Sequence, residues 1–168
     1  MRARSDAVYS KQKLGVGGAS VVLENFERYG VVAAQVVPVA GYFVNSMPPF
    51  RKALLERGER LAILRLDGDM YSSTVDVLYA LYDLVQVGGY IIIDDFGRTP
   101  AISFGARDAI MDFRALHGIE DDLHAIRNID GTGAWFHKVR EVNLRRDMYE
   151  QSLNSNAQIG RRAATHGD

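Results

Sequence analysis

Two short apolar segments, separated by a helical pattern and each followed directly by acidic residues, constrain the fold more than any other feature. The segments are Leu61–Leu66 and Tyr90–Ile93, and between them apolar residues recur at helical spacing from Val75 to Val85. A strand–helix–strand connection of this kind is right-handed and commonly places its two strands side by side and parallel. The pattern therefore predicts a pair of buried parallel strands in an α/β fold.

The flanking elements are predicted from caps, turn residues and periodicity. Ser73 with Asp76 fits a capping box at the start of the central helix, and Gly88-Gly89 fits its end. A DG pair between two strand-like segments favours a hairpin. The remaining predicted elements are helices at about 19–29, from Pro48-Pro49 to Gly58 and from Ala106 to Gly118, a strand near 35–39, and a C-terminal antiparallel hairpin of 123–129 and 133–139 around Asp130-Gly131.

These elements divide the chain into three parts. Residues 1–18 are polar and then glycine-rich, which indicates a loose lead-in, and residues 19–140 hold every predicted strand and helix of one domain. From residue 141 to residue 168 the chain is charged without sustained periodicity, which indicates a frayed helix or a disordered tail.

Composition excludes several classes of function. The 168 residues carry a net charge of −1, so no basic field favours nucleic acid or an acidic membrane. No cysteine is present, which excludes disulfides and thiolate metal sites. The N-terminus lacks the apolar stretch of a signal peptide, and no window reaches the length of a membrane span. A cytoplasmic protein is the default expectation.

Four aspartates are expected to meet at one edge of the sheet. Asp67 and Asp69 follow the first strand of the crossover, and Asp94 and Asp95 follow the second. Open α/β sheets bind ligands at the carboxyl ends of their strands. Carboxylates gathered there repel one another unless a cation or a proton neutralises them. A set of oxygen ligands without sulfur favours magnesium, calcium or manganese over zinc or copper.

The chain resembles the macrocin and aminocoumarin sugar O-methyltransferases over about residues 20–140. The segments that carry the resemblance are LRLDGDMYSST, VGGYIIIDDFG, GARDAIMDFRALHGI and DGTGAWFHK, with VVLENFERYGV and VVPVAGYFVNSMP upstream. The resemblance implies a Rossmann-like, doubly wound methyltransferase sheet. It also implies Mg²⁺ held by Asp67, Asp94 and Asp95, S-adenosylmethionine as methyl donor, and a sugar or glycoside as the small-molecule substrate; a homo-oligomer stays open.

The remaining site residues are expected around the same edge. The resemblance implies Asp69 as the general base that deprotonates the sugar hydroxyl, and it places the turn Gly41-Tyr42-Phe43 near the adenine of the methyl donor. Tyr71 follows the aspartates directly, so we expect it to border the sugar pocket.

The part of the fold that normally binds the methyl donor has no counterpart in the sequence. A doubly wound methyltransferase begins with a strand, a glycine-rich turn and a helix, followed by a strand that ends in an acidic residue. No apolar strand precedes Gly15–Gly18, so this glycine cluster is better interpreted as a lead-in to a helix. We therefore expect a partial class I methyltransferase domain that lacks its first strand or strands.

Three other interpretations stay open. The chain is a catalytically dead remnant, or it is a subunit that needs a partner. Alternatively, the DxD pattern belongs to a magnesium-dependent phosphatase of the haloacid dehalogenase type, although Tyr71 stands where that class has threonine or valine. In a methyltransferase fold without its first strand, the strand Leu61–Leu66 would have an unpaired edge, which is an aggregation hazard unless the segment near 35–39 pairs with it.

Overall fold

The computed structural model describes residues 18–31, 33–97, 105–126 and 132–154. The strands are β1 (Leu61–Leu66), β2 (Val85–Ile93), β3 (His124–Ala125) and β4 (Ala134–His137). The helices are α1 (Ala19–Arg28), α2 (Phe43–Glu56), α3 (Tyr71–Leu81), α4 (Gly105–Leu116) and α5 (146–154), with 3₁₀ turns at Ala33–Gln35 and Tyr82–Leu84. In this part of the chain, no helix is long and apolar enough to span a bilayer.

The strands form one mixed sheet in the order β1-β2-β4-β3. β1 pairs parallel with β2, and β4 pairs antiparallel with both β2 and β3. The parallel crossover and the C-terminal antiparallel pair are therefore confirmed. The hairpin strands are shorter than predicted, and the turn at Asp130-Gly131 lies outside the described residues.

The hydrophobic core lies on one face of this sheet. Side chains alternate along each strand, so one face carries Leu64, Ile91 and Phe136, all of them buried. Helices α2, α3 and α4 contribute Leu54, Leu78 and Phe113 to the same core. On the opposite face, Ile63 is 56% exposed and Tyr90 is 41% exposed. The prediction that β1 is a fully buried strand is therefore wrong, since one of its faces is open among the described residues.

The glycine pair Gly88-Gly89 lies inside a strand, so its prediction as a helix stop is wrong. The chain leaves α3 at Leu81, passes through the 3₁₀ turn Tyr82–Leu84 and enters β2 at Val85. The pairing register between β1 and β2 shifts at this point, as in a β-bulge. A Cβ on Gly89 would lie 2.8 Å from the Ala62 carbonyl oxygen, so only glycine fits this bulge.

Two helix starts also differ from the sequence predictions. α2 begins at Phe43, so Pro48-Pro49 lie inside the helix and not at its start. Each proline lacks the N–H of a helical hydrogen bond and its ring crowds the carbonyl four residues before it, so neither proline favours this longer helix. The capping box is wrong as well. α3 is capped by Met70 without a side-chain hydrogen bond, and Asp76 instead accepts a 2.6 Å hydrogen bond from the Tyr149 hydroxyl.

The strand predicted near 35–39 does not form. A 3₁₀ turn ends at Gln35, and residues 36–40 have no regular structure. Val37 is 76% exposed, and no described strand pairs with this segment. The segment therefore does not pair with the free edge of β1.

Residues 141–154 pack onto the domain, although the sequence predicts a frayed helix or a disordered tail there. Val142 and Leu144 are buried, and residues 146–154 are helical. The Tyr149 ring stacks on Tyr79 with 4.6 Å between ring centroids. The described end of the chain is thus held by apolar and aromatic contacts with α3.

Lys138 is the one fully buried charged side chain among the described residues, and we expect it to matter for stability. Its Nζ donates hydrogen bonds to the Val85 carbonyl at 2.7 Å and to Glu141 at 2.6 Å. Lys138→Met keeps the apolar stem but leaves a buried carbonyl with fewer donors, so it should lower the free energy of unfolding by about 2–4 kcal/mol. Denaturant unfolding tests this, with the exposed Lys52→Met as control. A loss equal to that of the control would contradict it.

Candidate functional site

The parallel pairing of β1 and β2 brings two acidic segments to the same edge of the sheet. Leu66 at the end of β1 pairs with Ile93 at the end of β2, and the Asp94 N–H donates a 2.9 Å hydrogen bond to the Leu66 carbonyl. Asp67 follows Leu66 directly, and Asp94 with Asp95 follows Ile93. The strand pairing therefore brings these three residues close together independently of any side-chain contact.

Asp67, Asp94 and Asp95 form a compact carboxylate cluster. One oxygen from each of the three residues lies within 4.8 Å of the other two. The cluster runs from solvent inwards, because Asp67 is exposed, Asp94 is half-buried and Asp95 is only 9% exposed. The proximity expected from the sequence is confirmed, and the role of these residues as metal ligands stays a prediction.

The surroundings of Asp95 raise the pKa of its carboxyl. Burial raises the pKa of its carboxyl to about 7, helped by a hydrogen bond with Asp69 and by the charges of Asp69, Asp67 and Asp94. The Asp95 Oδ2 atom is buried and has no hydrogen-bond partner. An orphaned carboxylate oxygen beside two further carboxylates is what a hard divalent cation would satisfy. The residues present thus fit a magnesium-class ion.

The turn that carries Asp69 is held from several sides. The Thr74 hydroxyl, which is buried, lies 2.9 Å from the Gly68 carbonyl and 3.0 Å from the Met70 carbonyl. The Ala106 N–H at the start of α4 donates to the Asp69 carbonyl at 3.1 Å. A Cβ on Gly68 would lie 3.3 Å from the Ser73 Cβ, so the glycine serves close packing of this turn.

Sequence reasoning missed Arg65 and Thr74. The Arg65 guanidinium donates from Nη1 to Asp67 at 2.7 Å and forms an ion pair from Nη2 to Asp94 at 2.9 Å. The available signal was the spacing, because Arg65 is two residues before Asp67 and so projects from the same face of the strand. For Thr74 the signal was a hydroxyl residue within one helical turn of the acidic segment.

The predicted cofactor turn lies beside the carboxylates. Phe43 lines a cavity of about 290 Å³ together with Leu66, Asp67 and Gly68. Gly41 and Tyr42 line a second cavity, of about 480 Å³, and Tyr42 is 82% exposed. Of the three predicted cofactor residues, only Phe43 contacts the space next to the carboxylate cluster.

Tyr71 opens α3 and lines a cavity of about 210 Å³ between α3, α4 and α5. Its hydroxyl donates a 3.0 Å hydrogen bond to Asp112. Burial, reinforced by this hydrogen bond and the Asp112 charge, raises the pKa of Tyr71 to about 12. Tyr71 is therefore a neutral hydroxyl at neutral pH. Its role at a sugar pocket stays a prediction.

Because the pKa of Asp95 is raised, we expect that replacing it with a neutral residue increases the free energy of unfolding. A carboxyl whose pKa is higher in the folded state destabilises the fold when it ionises. The loss of stability grows as pH rises from about 4 to about 7 and stays at its full value above that. Asparagine does not ionise, so Asp95→Asn should raise the free energy of unfolding without divalent ions at pH 8 by about 2–4 kcal/mol, and the gain should vanish near pH 4. Denaturant unfolding in EDTA measures it, with the exposed Asp122→Asn as control. A less stable Asp95→Asn variant at pH 8 would contradict this account.

Comparison with known families identifies relatives over most of the chain. The sequence model described as Macrocin-O-methyltransferase (TylF) matches residues 3–138. The 8-demethyl-8-(2,3-dimethoxy-alpha-L-rhamnosyl)-tetracenomycin-C 4'-O-methyltransferase of Streptomyces olivaceus is 43% identical over 117 residues, which cover 69% of this chain and 40% of that protein. The mycinamicin III 3''-O-methyltransferase of Micromonospora griseorubida is 40% identical over 121 residues, covering 71% of this chain and 41% of that protein.

A solved structure extends the likeness to three dimensions. The O-methyltransferase NovP superposes with a TM-score of 0.65 at 33% identity, over 82% of this chain and 51% of that chain. The mixed α/β sheet thus matches a methyltransferase fold. The chain spans about 40% to half of the length of these relatives.

Proposed function

The chain belongs to the macrocin O-methyltransferase family, and from that premise we propose that it carries the metal-binding part of an O-methyltransferase that uses S-adenosylmethionine. The acceptor is a hydroxyl on a sugar of a glycosylated natural product. The ion is Mg²⁺, held by Asp67, Asp94 and Asp95. Asp69 is the general base.

The observation that carries the proposal is the carboxylate cluster at the ends of β1 and β2. Its three oxygens lie within 4.8 Å of one another, and one buried oxygen of Asp95 has no hydrogen-bond partner. Mg²⁺ is usually bound in enzymes by carboxylate oxygens. A structural cluster without a ligand would more economically use neutral side chains, because buried like charges cost stability.

The base assignment comes from the family resemblance, and the position of Asp69 supports it. A magnesium-class ion, when bound, lowers the pKa of a hydroxyl beside it and aligns the oxygen for reaction. Asp69 lies on the same turn as Asp67, and its backbone is fixed by Ala106 at the start of α4. The position next to the ligand set, but outside it, supports Asp69 as the residue that receives the proton.

The methyl donor and the acceptor are assigned through the family. The two named relatives are O-methyltransferases of tetracenomycin and mycinamicin compounds, and the name of the first specifies a rhamnosyl substituent. We assign the adenine of S-adenosylmethionine to the cavity that Phe43 lines, with Gly41 and Tyr42 at its outer side. The sugar lies toward Tyr71, whose neutral hydroxyl and ring suit a carbohydrate surface.

A second candidate function is favoured by the outer edge of β1. Among the described residues no strand pairs with that edge, and Ile63 beside it is exposed. A chain of this kind would act as a subunit, completed by a second polypeptide that supplies the remaining sheet. The phosphatase alternative has no support from the family match.

The test is transfer of a labelled methyl group to a rhamnosylated polyketide at millimolar S-adenosylmethionine. The proposal predicts label on the sugar in the presence of Mg²⁺ and none after EDTA treatment. Transfer that appears only when a polypeptide with the rest of the fold is added would favour the subunit. Transfer that is insensitive to EDTA would contradict the assigned metal site.

A further inference from the structure

Arg65 contacts the carboxylate cluster more closely than any other cation in the described part of the chain. It lies on β1 opposite Ile92 of β2, two residues before Asp67, while Ile92 is two residues before Asp94. This register places one guanidinium between the two strand ends. Nη1 is 2.7 Å from an oxygen of Asp67, and Nη2 is 2.9 Å from an oxygen of Asp94.

The contact involves two of the three clustered carboxylates. Arg65 contacts Oδ2 of Asp67 and Oδ1 of Asp94. Arg65 and a divalent ion at the cluster would therefore both lie against the same two carboxylates. An ion at the cluster would then have a positive charge as a close neighbour.

We propose that Arg65 is the resident counter-ion of this cluster and that its charge weakens divalent-metal binding there, so that the ion remains exchangeable. The inference rests on the proposed metal site and adds a residue that sets its affinity. Without an ion, Arg65 offsets the repulsion between Asp67 and Asp94. With an ion present, the same charge opposes the ion.

Two effects of removing Arg65 act in opposite directions. Loss of the guanidinium frees the Asp67 and Asp94 side chains, which weakens metal binding by making the ligands less ordered. Loss of its charge removes a repulsion with a doubly charged ion, which strengthens binding.

The Arg65 side chain is 53% exposed and its partners are 49% and 45% exposed, so the ion pairs position the carboxylates only weakly. A unit charge next to a divalent ion remains significant even in a high dielectric. We therefore expect the loss of repulsion to exceed the loss of ligand order, so that removing the Arg65 charge tightens metal binding.

The expected result is tighter metal binding by the neutral variants. In calorimetric titration with Mg²⁺, Arg65→Gln and Arg65→Met should each bind about tenfold more tightly than wild type, while Arg65→Lys should bind like wild type because it keeps the charge. Arg57→Gln removes a positive charge whose contact is with Glu59, away from the cluster, and should leave the affinity unchanged. Raising the salt concentration should reduce the tenfold difference, since the effect is electrostatic.

The outcomes separate this inference from the function beneath it. Equal or weaker Mg²⁺ binding by both Arg65→Gln and Arg65→Met, with measurable binding in wild type, would overturn the counter-ion role and leave the metal site standing. Absence of binding in wild type and in every variant would overturn the metal site and the inference with it. Tightening in both neutral variants but not in Arg65→Lys would establish the role of the charge.

Discussion

Asp69→Asn is expected to lower the rate of methyl transfer by about 10²–10⁴, which is the usual cost of removing a general base. Asparagine keeps the size of the side chain and its place in the turn, but it cannot accept the proton of the sugar hydroxyl. The backbone contacts that fix this turn come from Ala106 and Thr74, and the substitution does not alter them. The rate is measured with labelled S-adenosylmethionine, using the chain alone or completed by a polypeptide that supplies the rest of the fold.

Metal affinity distinguishes a base from a ligand. Asp69 is outside the three-residue cluster, so Asp69→Asn should weaken Mg²⁺ binding by no more than the factor of about ten expected for one nearby charge, and should not abolish it. Asp122→Asn makes the same chemical change on an exposed side chain and should alter neither rate nor affinity. Loss of metal binding in Asp69→Asn would show that the roles of Asp67 and Asp69 have been exchanged.

S-adenosylmethionine is expected to bind the 168-residue chain with millimolar or weaker affinity. The described residues before β1 contain no strand, and so no strand–turn–helix unit that would receive the methionine end of the ligand. Each missing charge-assisted hydrogen bond costs about 1.5–3 kcal/mol, and about 1.4 kcal/mol corresponds to a factor of ten. Three or four such losses reduce a micromolar site to a millimolar one.

Equilibrium dialysis measures this affinity, and Phe43→Ala provides a matched variant. If the remaining affinity comes from the cavity beside Asp67, removing the Phe43 ring should reduce it further. Micromolar binding by wild type would be the contrary result. It would assign a cofactor contact to residues 1–18, where Gly15–Gly18 form the glycine-rich segment.

The central crossover was predictable because local pattern and long-range packing agree there. An apolar strand, a helix and a second apolar strand usually form a right-handed crossover with the two strands parallel. This arrangement places Asp67 beside Asp94 independently of the rest of the chain. The proximity of the three aspartates was accordingly predicted from the sequence, whereas Arg65 and Thr74 were missed. A charged residue within an apolar strand has no periodic pattern of its own, and its partners are known only once the register is known.

The errors arose where tertiary context overrides local preference. Gly88-Gly89 resembles a helix stop, but the close approach of the Ala62 carbonyl requires a glycine in a bulged strand. Val36 to Val39 has the β-branched composition of a strand, yet Pro38 in its middle has no N–H to donate, and no described strand pairs with the segment. The sequence indicated a frayed helix or a disordered tail after residue 140, and residues 146–154 are helical. Their packing through Tyr149 was not predicted, because one aromatic residue in a charged segment leaves little periodicity to detect.

The central claim is that Asp67, Asp94 and Asp95 hold one divalent ion, and calorimetric titration of Mg²⁺ into wild type and Asp94→Asn tests it most directly. Asp94 is a suitable target because it is half-buried and its substitution leaves the buried Asp95 in place. We expect one ion per wild-type chain and an affinity at least tenfold lower in Asp94→Asn, since a neutral amide replaces a charged ligand. Equal binding by both proteins, or no measurable binding by either, would contradict the claim.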